Sequence, residues 1–137
     1  MQAQVALREG SADGLEAQLE VLDAVGKAVA SGRGQFSGGR LSHTLTLDRP
    51  ALWSPESPSL YTLVTRVLGG GKVIDENRTR FGVRSIAFSR ENGFQLNGKT
   101  RKFKGVCLHH DLGPLGAAVN EAAISRQIRI MKDMGCD

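Results

Sequence analysis

Aromatic side chains are scarce in this 137-residue chain: five Phe, one Trp and one Tyr make up 5% of it. They are not interleaved with basic residues, so the stacking platform of a single-stranded nucleic-acid binder is missing. Eighteen Lys and Arg against 14 Asp and Glu leave a net charge of +4, but the basic residues are scattered rather than massed in one run. No nucleic-acid partner is expected. Cysteine is almost absent. Cys107 and Cys136 are too few for a disulfide scaffold and lack the repeated close spacing of a zinc site, so they read as two reduced thiols and leave the compartment open. Long apolar runs are also missing. No stretch approaches the ~18 residues a membrane helix needs, and the start, MQAQVALREG, lacks the basic-then-apolar pattern of a signal peptide, so a soluble chain without a membrane partner is expected. The length excludes two full domains of about 100–150 residues each. One domain, or one domain with a piece of another, remains.

Glycine is plentiful, with 17 residues where average usage gives roughly ten, and so turns should be frequent. Residues 2–7 (QAQVAL) alternate polar and apolar, and residues 15–22 (LEAQLEVL) set Leu15, Ala17, Leu19 and Val21 on one side at period two; both predict half-buried strands. After a turn at 23–27 and a short apolar piece at 28–30, SGRGQFSGGR offers Gly32, Gly34, Gly38 and Gly39 as punctuation, which predicts a mobile loop. Residues 41–47 (LSHTLTL) alternate again, with Leu41, His43, Leu45 and Leu47 on one face. Pro50, Pro55 and Pro58 then break the chain into a stiff loop. Residues 60–68 and 73–84 bracket Gly69, Gly70 and Gly71 as a long hairpin. Residues 94–96 and 101–108 flank Asn97-Gly98-Lys99, the strongest short hairpin signal. From Asn120 the period changes: Ile124, Ile128 and Met131 recur at i, i+4 and i+7, which predicts a helix. Asn120 can cap it, Glu121 suits the positive end of its dipole, and Gly135 is placed to end it.

These elements predict a mainly β chain: an immunoglobulin-like β-sandwich over residues 1–88, without the cysteine pair of antibody domains, then a C-terminal strand or hairpin and one α-helix over 89–137. A strand followed by an amphipathic helix should lead into a further strand. The apolar stripe Ile124, Ile128, Met131 therefore lacks a partner in the sequence, the expected mark of a cut through a domain. It should seek cover against its own sandwich or in a homo-oligomer formed through this helix.

Three stretches read together resemble glycoside hydrolase family 2, the family of β-galactosidases, β-glucuronidases and β-mannosidases. They are LWSPESPSLYTL at 52–63, RFGVRSIAF at 80–88 and GFQLNGKTRKFKGVCLHHDLGPLGAAV at 93–119, the last running into the helix that ends in MKDMGCD. The resemblance covers roughly residues 41–137. It implies a multi-domain retaining glycosidase with a jelly roll, an immunoglobulin-like sandwich and a TIM barrel, of which this chain is the sandwich plus the incomplete start of the barrel. Retaining chemistry needs two carboxyls about 5 Å apart, and the two glutamates of the family would lie beyond Asp137. The expected chain is thus non-catalytic by itself, its sandwich orienting the barrel of a parent enzyme that cleaves a terminal sugar, foremost a β-galactoside. No cofactor is implied, and a periplasmic or secreted parent is compatible with the resemblance.

If KFKGVCL at 102–108 is the first barrel strand, His109, His110 and Asp111 fall at its C-terminal end, where TIM barrels build their active sites. Alternation would put His109 and Asp111 on one side, as groups that bind sugar hydroxyls, and turn His110 away as a structural contact. His109 matches the first histidine of the family's strand motif, and Asp111 an acidic position seen in part of the family. Three adjacent residues cannot all face one ion, so a metal is not expected; a polar loop without ligand is the plainer alternative. Trp53 could stack on sugar, yet a lone Trp in a β chain more often anchors a core or interface. Arg84 could bind a carboxylate, yet at a strand end it more often ties loops together. The triple glycine at 69–71 lacks the Lys-Ser/Thr and helix of a phosphate loop. The alternative from another class is a free-standing sandwich that binds carbohydrate or a partner protein.

Overall fold

The computed structural model describes residues 1–7, 12–109 and 111–137. The chain divides into two units, Met1–Arg84 and Ser85–Asp137.

In the first unit, β1 (Gln2–Ala6) pairs antiparallel with β4 (Arg40–Thr44) as a two-stranded sheet. β2 (Leu15–Leu22), β3 (Ala28–Gln35), β5 (Tyr61–Gly69) and β6 (Lys72–Phe81) form a four-stranded antiparallel sheet in the order β3-β2-β5-β6. Period-two alternation sends Ala17, Leu19 and Val21 of β2 inward, where they meet Ala3, Leu41, Leu45 and Tyr61 as one buried cluster. This is the expected sandwich. Tyr61 also stacks on Phe81 at 5.8 Å and accepts a hydrogen bond from Ala51 N–H (2.9 Å), which ties the proline loop to the sheet.

The sequence expectation of a mobile loop over SGRGQFSGGR is corrected. Ala28–Gln35 is a strand along β2, with Leu19 opposite Gly32 and Ala17 opposite Gly34. A Cβ at Gly32 would come within 2.2 Å of His43 Nε2, and one at Gly34 within 2.7 Å of Leu41 Cδ1. These glycines are room for β4 side chains, not turns. The turn itself is Gly38-Gly39, both at positive φ, between Ser37 and Arg40, which exchange backbone bonds. On the outer face of the large sheet Arg66 bridges Glu20 (3.2 Å) and Glu76 (2.7 Å). The Arg78 and Arg66 guanidiniums hold the Glu76 carboxyl below the usual carboxylate range.

In the second unit, β7 (Ile86–Ser89), β8 (Gly93–Leu96) and β9 (Lys99–Thr100) form an antiparallel meander. Asn97 (φ 51) and Gly98 (φ 76) make the two-residue turn, since both central positions of a type I′ hairpin need positive φ. β7 is an addition to the expected elements. Helix α1 (Glu121–Asp133) is capped by Asn120 Oδ1, which accepts from Ala123 N–H (3.0 Å). At its other end Gly135 N–H donates to Lys132 O and Cys136 N–H to Met131 O, the paired bonds of a Schellman motif. The expected strand at 101–108 is corrected: residues 101–109 form no regular strand. Alternation can mark a strand, but only a neighbouring strand supplies the ladder bonds that make one.

Candidate functional site

After α1 the chain returns to residues 101–104: Asp137 N–H donates to Lys104 O (2.8 Å), and Asp137 Oδ2 accepts from Lys104 N–H (3.2 Å). The Arg101 guanidinium donates to Asp137 Oδ1. An extended segment, a helix and a return beside the segment's start is the path of a strand–helix–strand unit. The Arg101 hydrogen bond, with that of Lys104 N–H behind it, holds the Asp137 carboxyl below the usual carboxylate range. A depressed folded pKa contributes stability that is present above the unfolded carboxylate value and is lost as pH falls through the folded one. The Lys104 amide should therefore keep its resonance position from neutral pH through the ordinary Asp range and shift only below it. Arg101→Ala should move that NMR transition up to the ordinary range.

At the other end of residues 101–109 the chain does not stay extended. Asp111 N–H donates to His109 O (2.8 Å), a local bond that strand alternation does not make. Alternation is therefore the wrong reason for grouping His109 with Asp111, although both line one hollow of about 140 Å³ beside Leu112, Val119, Ile124 and Gln127. His110 lies outside the described residues. Asp111 Oδ1 accepts from Gly113 N–H (2.8 Å), and Leu112 N–H bonds Gly116 O (2.8 Å), so one carboxylate oxygen shapes the loop. A carboxylate keeps acceptor capacity beyond one such bond, and the exposed imidazole can donate or accept. The pair suits hydrogen bonding to hydroxyls.

Gln127 is a member of this site that the sequence expectation lacks. Its Oε1 is buried without a hydrogen-bond partner among the described residues, an amide oxygen whose satisfaction would recover the cost of its burial. The available signal is a polar residue three positions after Ile124, on the apolar face of α1. Trp53 and Arg84 lie in the first unit. Arg84 Cζ sits 4.8 Å from the Trp53 ring centroid, Trp53 N–H donates to Val83 O (2.8 Å), and Leu52 forms a parallel bridge with Val83. Both residues tie the proline loop to the end of β6. Cys107 and Cys136 are free thiols, and among the described residues no three His, Cys, Asp or Glu side chains gather as a metal cluster.

Residues 1–84 match the sequence profile described as glycosyl hydrolases family 2. The β-galactosidase BoGH2A of Bacteroides ovatus is 44% identical over 120 residues, which are 84% of this chain and 14% of that protein. The crystal structure of a glycosyl hydrolase family 2 member from Bacteroides cellulosilyticus superposes with a TM-score of 0.88 at 38% identity, over 98% of this chain and 19% of that one. A β-glucuronidase of Bifidobacterium dentium complexed with coumarin-3-O-glucuronide follows the fold with a TM-score of 0.84 at 26% identity, over 91% of this chain and 20% of that one. The chain spans 12% to 16% of the length of the first three curated relatives it matches.

Proposed function

This chain belongs to glycosyl hydrolases family 2, and from that premise we propose that it is the part of a retaining β-glycosidase that carries the immunoglobulin-like sandwich and the opening of the catalytic barrel. The observation that carries this reading is the return of Asp137 to Lys104 after α1, which suits the first βαβ step of a barrel. His109 and Asp111 then stand at the mouth of its first strand segment, where a barrel takes its substrate. They bind hydroxyls of the terminal sugar, foremost a β-galactoside, in keeping with the B. ovatus relative. The two carboxyls of the retaining reaction come from elsewhere in the whole enzyme, and the sandwich serves as the spacer that orients the barrel.

The test compares residues 1–137 with the whole protein on 4-nitrophenyl β-D-galactoside and β-D-glucuronide. The short chain should cleave neither. The whole protein should cleave the galactoside with the β-anomer appearing first by proton NMR; inversion, or no cleavage of either substrate, would sink the reading. In the whole protein His109→Ala should lower kcat/KM by about 10- to 100-fold, the loss expected from one or two hydrogen bonds to the substrate. Exposed Ile128 on α1 and Met134 at its C-cap support self-association of the isolated chain through that helix. Light scattering should show its mass rising with concentration, and Ile128→Glu should return it to a monomer.

A further inference from the structure

The stretch from Asp111 to Val119 is bonded mainly to itself. Leu112 N–H donates to Gly116 O (2.8 Å), Gly116 N–H to Gly113 O (2.9 Å) and Ala118 N–H to Leu115 O (3.2 Å), while Asp111 Oδ1 takes Gly113 N–H. All of these bonds close within Asp111–Ala118, and among the described residues none reaches α1. What the loop shares with the helix is the hollow of about 140 Å³, where Leu112 and Val119 face Ile124. Apolar contact carries no direction, so it does not fix where the loop, and the Asp111 carboxylate with it, stands on α1.

The hollow itself holds the polar groups for a directional link. Gln127 Oε1 is buried there without a hydrogen-bond partner among the described residues. Ala117 and Val119 line the same space, and among the described residues their N–H groups have no backbone acceptor. Asp111 lines it too, with Oδ2 outside the bond to Gly113. Acceptors and donors thus surround a space instead of meeting, and whatever joins them must donate and accept at once. A water molecule does both. Internal waters make about three hydrogen bonds to groups otherwise left unsatisfied and need only roughly 10–15 Å³ of room. No Lys or Arg lines the hollow, so an anion beside Asp111 would lack a counter-charge.

We propose that Gln127 is a positioning residue: a water in this hollow donates to Gln127 Oε1 and Asp111 Oδ2, accepts from the N–H of Ala117 or Val119, and thereby fixes the loop and its Asp111 carboxylate on α1. A bridging water is nearly as favourable as a direct hydrogen bond, and it turns the unpartnered amide oxygen into the helix's hold on the loop. The consequence for sugar binding rests on the function proposed above. The water bridge itself does not.

Two substitutions separate the oxygen from the shape of the side chain. Gln127→Met removes the acceptor but keeps an unbranched side chain of similar helix propensity, whereas Gln127→Glu keeps an acceptor oxygen at the same reach. The first measurement is made on residues 1–137 without sugar, with protected Ile128 and Met131 amides certifying that α1 is folded. Rotating-frame NMR cross-peaks between water and amide protons, whose sign separates a long-lived bound water from proton exchange, should appear at Ala117 or Val119 in the unsubstituted chain and in Gln127→Glu, and vanish in Gln127→Met. The Gly113 amide reports Asp111 through its bond to Oδ1; in Gln127→Met it should exchange about 2- to 12-fold faster, the worth of one hydrogen bond, with the original rate restored in Gln127→Glu. No long-lived water at either amide, its persistence in Gln127→Met, or an unchanged Gly113 rate there overturns the proposal. The second measurement is made on the whole protein with 4-nitrophenyl β-D-galactoside, where Gln127→Met should lower kcat/KM by the same factor, the loss falling on KM, and Gln127→Glu should recover it. An unchanged KM in Gln127→Met also overturns the positioning role. If the whole protein cleaves neither glycoside, the proposed function falls, and the water and Gly113 measurements still decide the role of Gln127.

Discussion

Leu19→Ala is expected to remove about 3–5 kcal/mol from the unfolding free energy of the first unit, the range found where a fully enclosed leucine is truncated and the surroundings cannot collapse. Leu19 is 0% exposed. It sits mid-strand, between Gly32 of β3 and Thr65 of β5, in the cluster where β2 meets Leu41, Leu45 and Tyr61. Both flanking positions are held by ladder bonds, so little relaxation is available to fill the void. A whole domain of this size has about 5–15 kcal/mol to lose, and each kcal/mol shifts the melting temperature by roughly 4–8 °C for 60–100 residues. Circular dichroism at 218 nm should therefore show a fall of about 12–40 °C. Val29→Ala, at a side chain 40% exposed, should cost under about 1 kcal/mol in the same assay. Equal effects from the two substitutions would contradict the assignment of the core.

The second large effect is one of sign. Gly→Ala at an ordinary backbone conformation stabilises by about 0.4–1 kcal/mol, because it restricts the unfolded chain. Gly82 lies outside the left-handed region, yet a Cβ there would stand 2.8 Å from each of Trp53 Cβ, Cγ and Cδ1. These atoms are the root of the side chain rather than a flexible tip, and Trp53 is held through its own N–H to Val83 O and beneath Arg84. Gly82→Ala should instead destabilise by about 1–3 kcal/mol, the cost of overpacking a fitted contact. Trp53 is the sole tryptophan, so its fluorescence reports the site directly. Emission should shift to the red as the indole is displaced toward water, together with a lower melting temperature. A more stable Gly82→Ala protein with unchanged emission would falsify the packing described here.

Legibility in the sequence follows the range of the forces involved. Asn97-Gly98 and the α1 caps Asn120 and Gly135 act within a few residues of where they are written, so residue type and spacing suffice to name their turn and helix ends. Gly32 and Gly34 cannot be told from turn glycines in the same way, because what distinguishes them is His43 and Leu41 arriving from another strand. His109 and Asp111 line one hollow, but strand alternation does not bring them there. The Asp111 N–H bond to His109 O and the Asp111 carboxylate on Gly113 N–H do so instead. Gln127 is hidden because burial of one amide oxygen depends on a loop that folds over the helix.

By itself the sequence determined the strand periods, the one helix and its caps, the two-residue hairpin at Asn97-Gly98 and the family resemblance, since each is carried by residue types at short spacing. The tertiary structure alone decided which strands share a sheet, that a glycine-rich segment is a strand, that residues 101–109 form no ladder, and that β1 pairs with β4 across the chain. Those outcomes turn on hydrogen-bond partners and packed neighbours far apart in the chain. A backbone group is satisfied, or a methyl group buried, only by whatever the fold brings to it.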